Sequence, residues 1–342
     1  MTPIDSAVGW VSFPDRLGCP DRAAPAGGRD RGRGRMRILL LGASGYVGGA
    51  LWSEWSARHT VVGTCASRPV PGLVPLDLRD QEALRRLLDQ GFDLVVHAAG
   101  LVDLSDAERQ PELARQLNAA SVATLRDAVR GTGTRILLLS TDNVFDGTAE
   151  TYTEGDERAP VNAYGHSKCA AEDALIGADA LIGEDTLVRE DAFAGADTLA
   201  GADGRLAGGH LVVRIPLVYG RSPIADRFMA RFDGPRTPAR TDLVCAPVYL
   251  PWLPGALEEL WDRSGLLHLG GAQVVTRYEL MTRIRDALAL PTEVVPVSGD
   301  DPLPAPRRPA RLVLRSVHHG LLGPGLDTAL GDMVRGGPAG RP

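Results

Sequence analysis

From Met36 onward the chain alternates two kinds of hydrophobic pattern. Short, unbroken apolar runs occur at Met36–Leu41 (MRILLL), Thr60–Thr64 (TVVGT), Leu94–Ala98 (LVVHA), Arg135–Ser140 (RILLLS) and Leu211–Ile215 (LVVRI). A run that is apolar at nearly every position, rather than every second one, predicts a strand covered on both faces. Between the runs, Gly49–Arg58, Asp80–Gln90 and Pro111–Arg130 read as helices. Strand alternating with helix predicts an α/β fold with a doubly wound parallel sheet. Beyond Ile215 the pattern is irregular and rich in Pro and Arg, with helices expected over Leu253–Arg263 and Tyr278–Ala289. This is the expected place of a smaller C-terminal substrate-binding part.

Two segments break the pattern. Residues 1–35 contain PDRAAPAGGRDRGRGR, have little to bury, and read as a disordered tail, with Met36 as an alternative first residue. Asp recurs at 173, 179, 185, 191, 197 and 203, a period that suits neither a straight helix nor a strand. Residues 173–204 are therefore expected to form a surface insertion. The chain divides into the tail (1–35), a nucleotide-binding domain (36–172 and 205–220), the Asp-repeat insertion (173–204), a substrate-binding domain (221–335) and a second tail (336–342).

Composition narrows the function classes. Of 342 residues, 44% are hydrophobic and 23% charged, the balance of a globular chain. No apolar run reaches the roughly 20 residues of a membrane span, and no secretory leader pattern is present. A net charge of -6 argues against a nucleic-acid binder. Cys19, Cys65, Cys169 and Cys245 stand far apart without a CxxC, so neither a metal site nor a disulfide framework is expected, and a reducing cytoplasm fits. Of 37 basic residues, Lys168 is the single lysine. A compact ammonium has persisted at one place in a chain that otherwise uses the planar guanidinium.

The first apolar run leads into Gly42-Ala43-Ser44-Gly45-Tyr46-Val47-Gly48 and then a helix, the context of a dinucleotide fingerprint and of a Rossmann-type sheet. Gly42 allows the tight turn, Gly45 the approach of a pyrophosphate, and Gly48 close packing of helix on sheet; free N–H groups of the helix N-terminus then face the phosphates. After the second run, Cys65-Ala66-Ser67-Arg68 offers no acid for the ribose 2′-hydroxyl of NAD. Ser67 and Arg68 suit a 2′-phosphate, so NADP(H) is expected, with NAD(H) as the alternative. Asp77 and Leu78 are expected on the adenine side. Tyr164 and Lys168 share a helix face. The neighbouring cation should lower the phenol from its usual pKa of about 10 and suit Tyr164 to protonate a carbonyl oxygen as hydride arrives. Lys168 can also hold the nicotinamide ribose, and Thr141 can hydrogen-bond the substrate oxygen.

The segments ILLLGASGYVGGAL, VVHAAG, LLLSTDNVFDG, YTEGDERAPVNAYGHSKCAAE and VVRIPLVYG carry a family likeness. From Met36 to about Val334 the chain resembles the extended short-chain dehydrogenase/reductases, most closely the RmlD-like (dTDP-4-dehydrorhamnose reductase) branch. The resemblance implies a Rossmann fold, NAD(P)H and a Thr141, Tyr164 and Lys168 catalytic set. It implies that Ala98, Ala99 and Gly100 flank the cofactor, that Ile215 and Pro216 reach its nicotinamide end, and that Val102, Asn118, Asn143 and Arg214 serve the substrate. The activity implied is that of a cytoplasmic oxidoreductase acting on a nucleotide-linked 4-keto-6-deoxy sugar, and a homodimer is left open. Asn143 and Leu217 stand where that branch usually has aromatic residues, so the chemistry is better defined than the sugar. Two alternatives stay open: an NAD-retaining epimerase or dehydratase, although no Glu follows Asp142, and a non-enzymatic NADP-binding regulatory subunit.

Other residues suggest less. His97 reads as a structural histidine, His318 and His319 as a solvated pair, and Trp52 and Trp55 as packing residues. Arg227, Arg231, Arg236 and Arg240 lie in the segment expected to face substrate, where a guanidinium suits a diphosphate.

Overall fold

The computed structural model describes residues 34–177, 209–299 and 306–336. The expectations for the first 33 residues, for most of the Asp-repeat insertion and for the end of the second tail lie outside the described residues. The strands β1 (Arg37–Leu41), β2 (Thr60–Cys65), β3 (Val74–Pro75), β4 (Leu94–His97), β5 (Arg135–Thr141) and β6 (Leu211–Ile215) form one sheet with the later strand Gly265–His268. The order across the sheet is Gly265–His268, β6, β5, β4, β1, β2, β3, and every pairing is parallel. Strand order reverses between β1 and β4, which opens a crevice at the carboxyl ends of those strands, the usual ligand site of such sheets.

The apolar runs behave as their pattern predicts. Ile38 and Leu40 of β1 face one layer with Trp55, Leu257 and Trp261, while Leu39 and Leu41 face the other with Leu84, Leu125 and Leu175. All four β1 side chains are fully buried, each worth roughly 1.5–3 kcal/mol. The first layer is built by α1 (Tyr46–Trp55), and the second by α2 (Gln81–Leu88), α5 (Ser121–Val129) and α6 (Ala163–Ile176). The helix expected over Pro111–Arg130 is broken into α4 (Pro111–Arg115), a π-helical turn at Gln116–Ala120 and α5, preceded by the short α3 (Leu104–Arg109). Asp80, Asp103 and Asn162 cap α2, α3 and α6 through their side chains.

Helix α6 runs through Asp173, the first of the periodic aspartates, whose carboxylate pairs with Arg158 at 2.7 Å. The helix therefore ends past the expected start of the insertion. The other boundary is also blurred. Helix α7 (Leu253–Leu260) covers the same sheet layer as α1, and Gly265–His268 closes the sheet edge beside β6. The central sheet thus draws on residues from both sides of position 220. A further apolar cluster joins Phe228, Phe232 and Tyr249 to α8 (Arg277–Ala287) and α9 (Leu326–Arg335) through Leu280, Ile284 and Leu330. Among the described residues no helix is long and apolar enough to cross a membrane.

Candidate active site

The glycine turn leaves room only where glycine stands. Gly42 has φ +86°, and a Cβ there would lie 2.8 Å from the backbone of Ala99. A Cβ on Gly48 would lie 2.1 Å from the Gly42 carbonyl oxygen. The loops after β1 and β4 therefore touch at the point where strand order reverses. Gly45 begins α1 without a side-chain cap, and no acidic residue sits in the first turn. The N–H groups of that turn are open to an anion, with no carboxylate competing. The residues present fit the pyrophosphate of a dinucleotide. Ser67 and Arg68 lie exposed past the end of β2, with no acidic side chain between Cys65 and Val74. Leu78 is buried, and the Asp77 carboxylate is engaged by Arg79, with contacts of 2.6–3.0 Å that hold it below the usual carboxylate range.

Gly165 brings the second motif into place. A Cβ on it would stand 2.2 Å from the Asn143 carbonyl oxygen, so only glycine lets the start of α6 approach the turn after β5. Asn162 holds that helix start by accepting from the Gly165 N–H at 2.8 Å, and its amide donates to Asn143 Oδ1 at 3.2 Å. The half-buried Tyr164 is thereby placed beside Thr141 at the carboxyl end of β5. The lowered phenol pKa expected from Lys168 is not found. Burial pushes the phenol up to about 12, and the nearby Asp142 carboxylate acts in the same direction. The physical reason is that the Lys168 ammonium, 4% exposed, donates to the Leu139 carbonyl at 2.6 Å, and burial lowers its own pKa to about 8.

Two expected substrate residues belong to the scaffold instead. Arg214 is 1% exposed and binds both oxygens of the buried Glu172 at 2.9 and 2.7 Å, so it does not face a ligand. Glu172 also accepts from the Ser140 hydroxyl, tying α6, β5 and β6 together beneath the site. Asn118, in the π-helical turn, accepts from the Leu101 N–H at 2.8 Å and donates to the Leu101 carbonyl and the Ser167 hydroxyl. Its side chain shapes the loop after β4, where Gly100 (φ +141°) leaves space for it, rather than contacting substrate. Val102, in the same loop, is exposed. His97 is buried and bonded through Nε2 to Ser121 at 2.9 Å. Burial and the positive charge of Lys168 push its pKa down to about 3, so it stays neutral. Trp55 packs on Trp261 and donates to the Pro254 carbonyl. No metal-holding cluster occurs among the described residues, His318 and His319 included.

The cleft above Thr141 has a volume of about 150 Å³. That is below the roughly 300–1,000 Å³ of whole-ligand pockets. Thr141, Asp142, Asn143, Pro216 and Leu217 line it. Its lining also includes Arg277 and Arg308, which the sequence reading missed. Arg227 and Arg231 lie near them. The guanidinium of Arg231, 6.0 Å from the Phe228 ring centroid, is pushed down to about 10 by burial and by the like charges of Arg277, Arg227 and Arg308. None of these four arginines forms an ion pair among the described residues. Arg236 and Arg240, by contrast, are spent on Glu293 and Asp242.

The comparisons with known proteins place the chain in a family. The family model described as the RmlD substrate binding domain matches residues 36–182. A dTDP-4-dehydrorhamnose reductase of Mycolicibacterium smegmatis is 31% identical over 307 residues, spanning 84% of this chain and 82% of the relative. The chain belongs to the RmlD-like extended short-chain dehydrogenase/reductases. Another relative of this RmlD-like chain is methionine adenosyltransferase 2 subunit beta of Mus musculus, 28% identical over 299 residues, 80% of this chain and 78% of that one. The RmlD-like fold is matched by a dTDP-4-dehydrorhamnose reductase of Bacillus anthracis solved in complex with NADP. The TM-score is 0.68 at 20% identity, over 88% of this chain and 99% of that one.

Proposed function

We propose that this protein is an NADP(H)-dependent reductase of a nucleotide-linked 4-keto-6-deoxy sugar. The observation that carries the reading is a cleft that brings Thr141, beside Tyr164, together with Arg277 and Arg308, which form no ion pair among the described residues. Unpaired guanidinium groups beside a cleft suit a diphosphate, which takes charge-assisted and bidentate hydrogen bonds. Ser67 and Arg68 would hold the cofactor's 2′-phosphate, the first turn of α1 its pyrophosphate, and the loop of Ala98, Ala99 and Gly100 its nucleoside side. When bound, the cofactor supplies the hydride for the carbonyl carbon. Tyr164 gives its phenolic proton to the carbonyl oxygen, and Thr141 hydrogen-bonds that oxygen. Lys168 has two N–H donors beyond the one given to Leu139, and these suit the ribose hydroxyls. The likeness to the Mycolicibacterium dTDP-4-dehydrorhamnose reductase supports a dTDP-linked 4-dehydrorhamnose as the first substrate to try.

NADPH oxidation against a panel of nucleotide-linked 4-keto-6-deoxy sugars tests this. Consumption with stoichiometric alcohol product is expected. Product without net NADPH consumption would make the protein an epimerase. A second reading, a cofactor-binding subunit of another enzyme, draws on the methionine adenosyltransferase 2 subunit beta relatives. It would replace the first if NADPH binds and no sugar is turned over.

A further inference from the structure

The Thr141 hydroxyl carries one hydrogen, and its neighbours decide where that hydrogen points. Thr141 Oγ1 donates to Asp142 Oδ1 at 3.1 Å. The same oxygen accepts from the Asn143 backbone N–H at 3.2 Å and from Asn143 Nδ2 at 3.4 Å, and Tyr164 lies beside it. With its hydrogen given to Asp142, Thr141 has none to offer a carbonyl oxygen in the cleft.

Asp142 is 5% exposed and forms no ion pair among the described residues. Its Oδ1 also accepts from Asn143 Nδ2 at 2.9 Å. The groups facing it are Tyr164 from α6, Cys245 from the short strand Val244–Cys245, Arg277 from the start of α8, and Arg308 in the cleft wall. Burial favours the uncharged acid and outweighs the pull of Thr141, Asn143 and Arg277 toward the carboxylate, leaving the group at about 6.

We propose that Asp142 is a positioning residue whose protonation turns the Thr141 hydroxyl from Asp142 toward the substrate carbonyl. This rests on the reductase reading above. As a carboxylate Asp142 only accepts, whereas as an acid it donates to Thr141 Oγ1 and releases the Thr141 hydrogen to the substrate oxygen. Protonation also removes the negative charge that makes the Tyr164 phenol a poorer acid. An anion seated on Arg277 and Arg308 cancels part of the positive field that favours the carboxylate. A diphosphate-bearing substrate therefore promotes the protonated state as it binds.

The test is the pH profile of kcat for NADPH oxidation by the wild type and Asp142→Asn. In the wild type kcat falls about tenfold per pH unit above the Asp142 midpoint. An asparagine does not ionise there, and its amide donates to Thr141 at every pH, so Asp142→Asn loses that limb. A limb unchanged in Asp142→Asn, with the rate lowered equally at all pH, would leave Asp142 a structural role and overturn the inference. A second readout separates this outcome from failure of the reductase reading, which an inactive wild type would signal. In the full chain, the carboxyl ¹³C resonance lost in Asp142→Asn is followed against pH in the wild type and in Thr141→Val. Removing the donated hydrogen bond should raise the midpoint by about half a pH unit or more. An unmoved midpoint means that Asp142 does not hold the Thr141 hydrogen, and it overturns the proposal whether or not any sugar is reduced.

Discussion

The two sides of the crevice are built by different means. The side proposed for the cofactor is made from backbone: a glycine turn after β1, a loop after β4 pressed against it, and the open N-terminus of α1. The side proposed for substrate is made from long side chains on separate segments, Arg277 on α8 and Arg308 some thirty residues further on, which line the same cleft as Thr141 and Asp142. Backbone cradles require particular residues at fixed short spacings, because a single Cβ overlaps a neighbouring carbonyl. A wall of arginine tips requires only that several chain segments converge, and their order and spacing are free. One side is therefore strict about residue identity and the other tolerant of it.

The predictions challenge this contrast in decreasing size. Tyr164→Phe should lower kcat by about 10²–10⁴-fold and leave NADPH affinity unchanged; retained turnover removes the phenol from the acid role. Gly48→Ala should weaken NADPH binding on the order of 100-fold, about 3 kcal/mol, in a fluorescence titration, because its methyl would stand 2.1 Å from the Gly42 carbonyl oxygen. Unchanged affinity would show that the turn can shift and that the cofactor side is not strict. Arg277→Ala should raise KM by about 10- to 100-fold, the worth of one charged hydrogen bond, with little change in cofactor affinity. Loss of both together would mean that the two sides are not separate. Arg68→Ala should weaken NADPH about tenfold relative to NADH, measured as the ratio of the two dissociation constants; equal loss of both would overturn the 2′-phosphate preference.

The same contrast explains what could be read in the sequence. The apolar runs located five of the seven strands of the sheet to within a residue or two, since a strand buried on both faces has little freedom in composition. Thr141, Tyr164 and Lys168 could be singled out in the sequence as a set only through the family likeness, whereas Gly165 and Asn162, which fix the start of α6 beside Thr141, drew no notice there. Arg214 misled because a buried arginine on a strand looks in sequence like one that faces a ligand; only the position of Glu172, across the sheet on α6, shows that its charge is already matched. The direction of the Tyr164 shift misled because helical spacing fixes which residues share a face but not where an ammonium finds its nearest acceptor. Arg277 and Arg308 gave no signal, being two among many arginines, and their meeting depends on contacts across the whole chain.

The late strand Gly265–His268 has a practical corollary for anyone dissecting the molecule. A fragment cut after the first six strands would expose the backbone donors and acceptors of β6 and uncover the apolar face that α7 shields. Such a piece should stick to itself rather than behave as a soluble nucleotide binder. Truncations meant to isolate dinucleotide binding should therefore extend beyond His268.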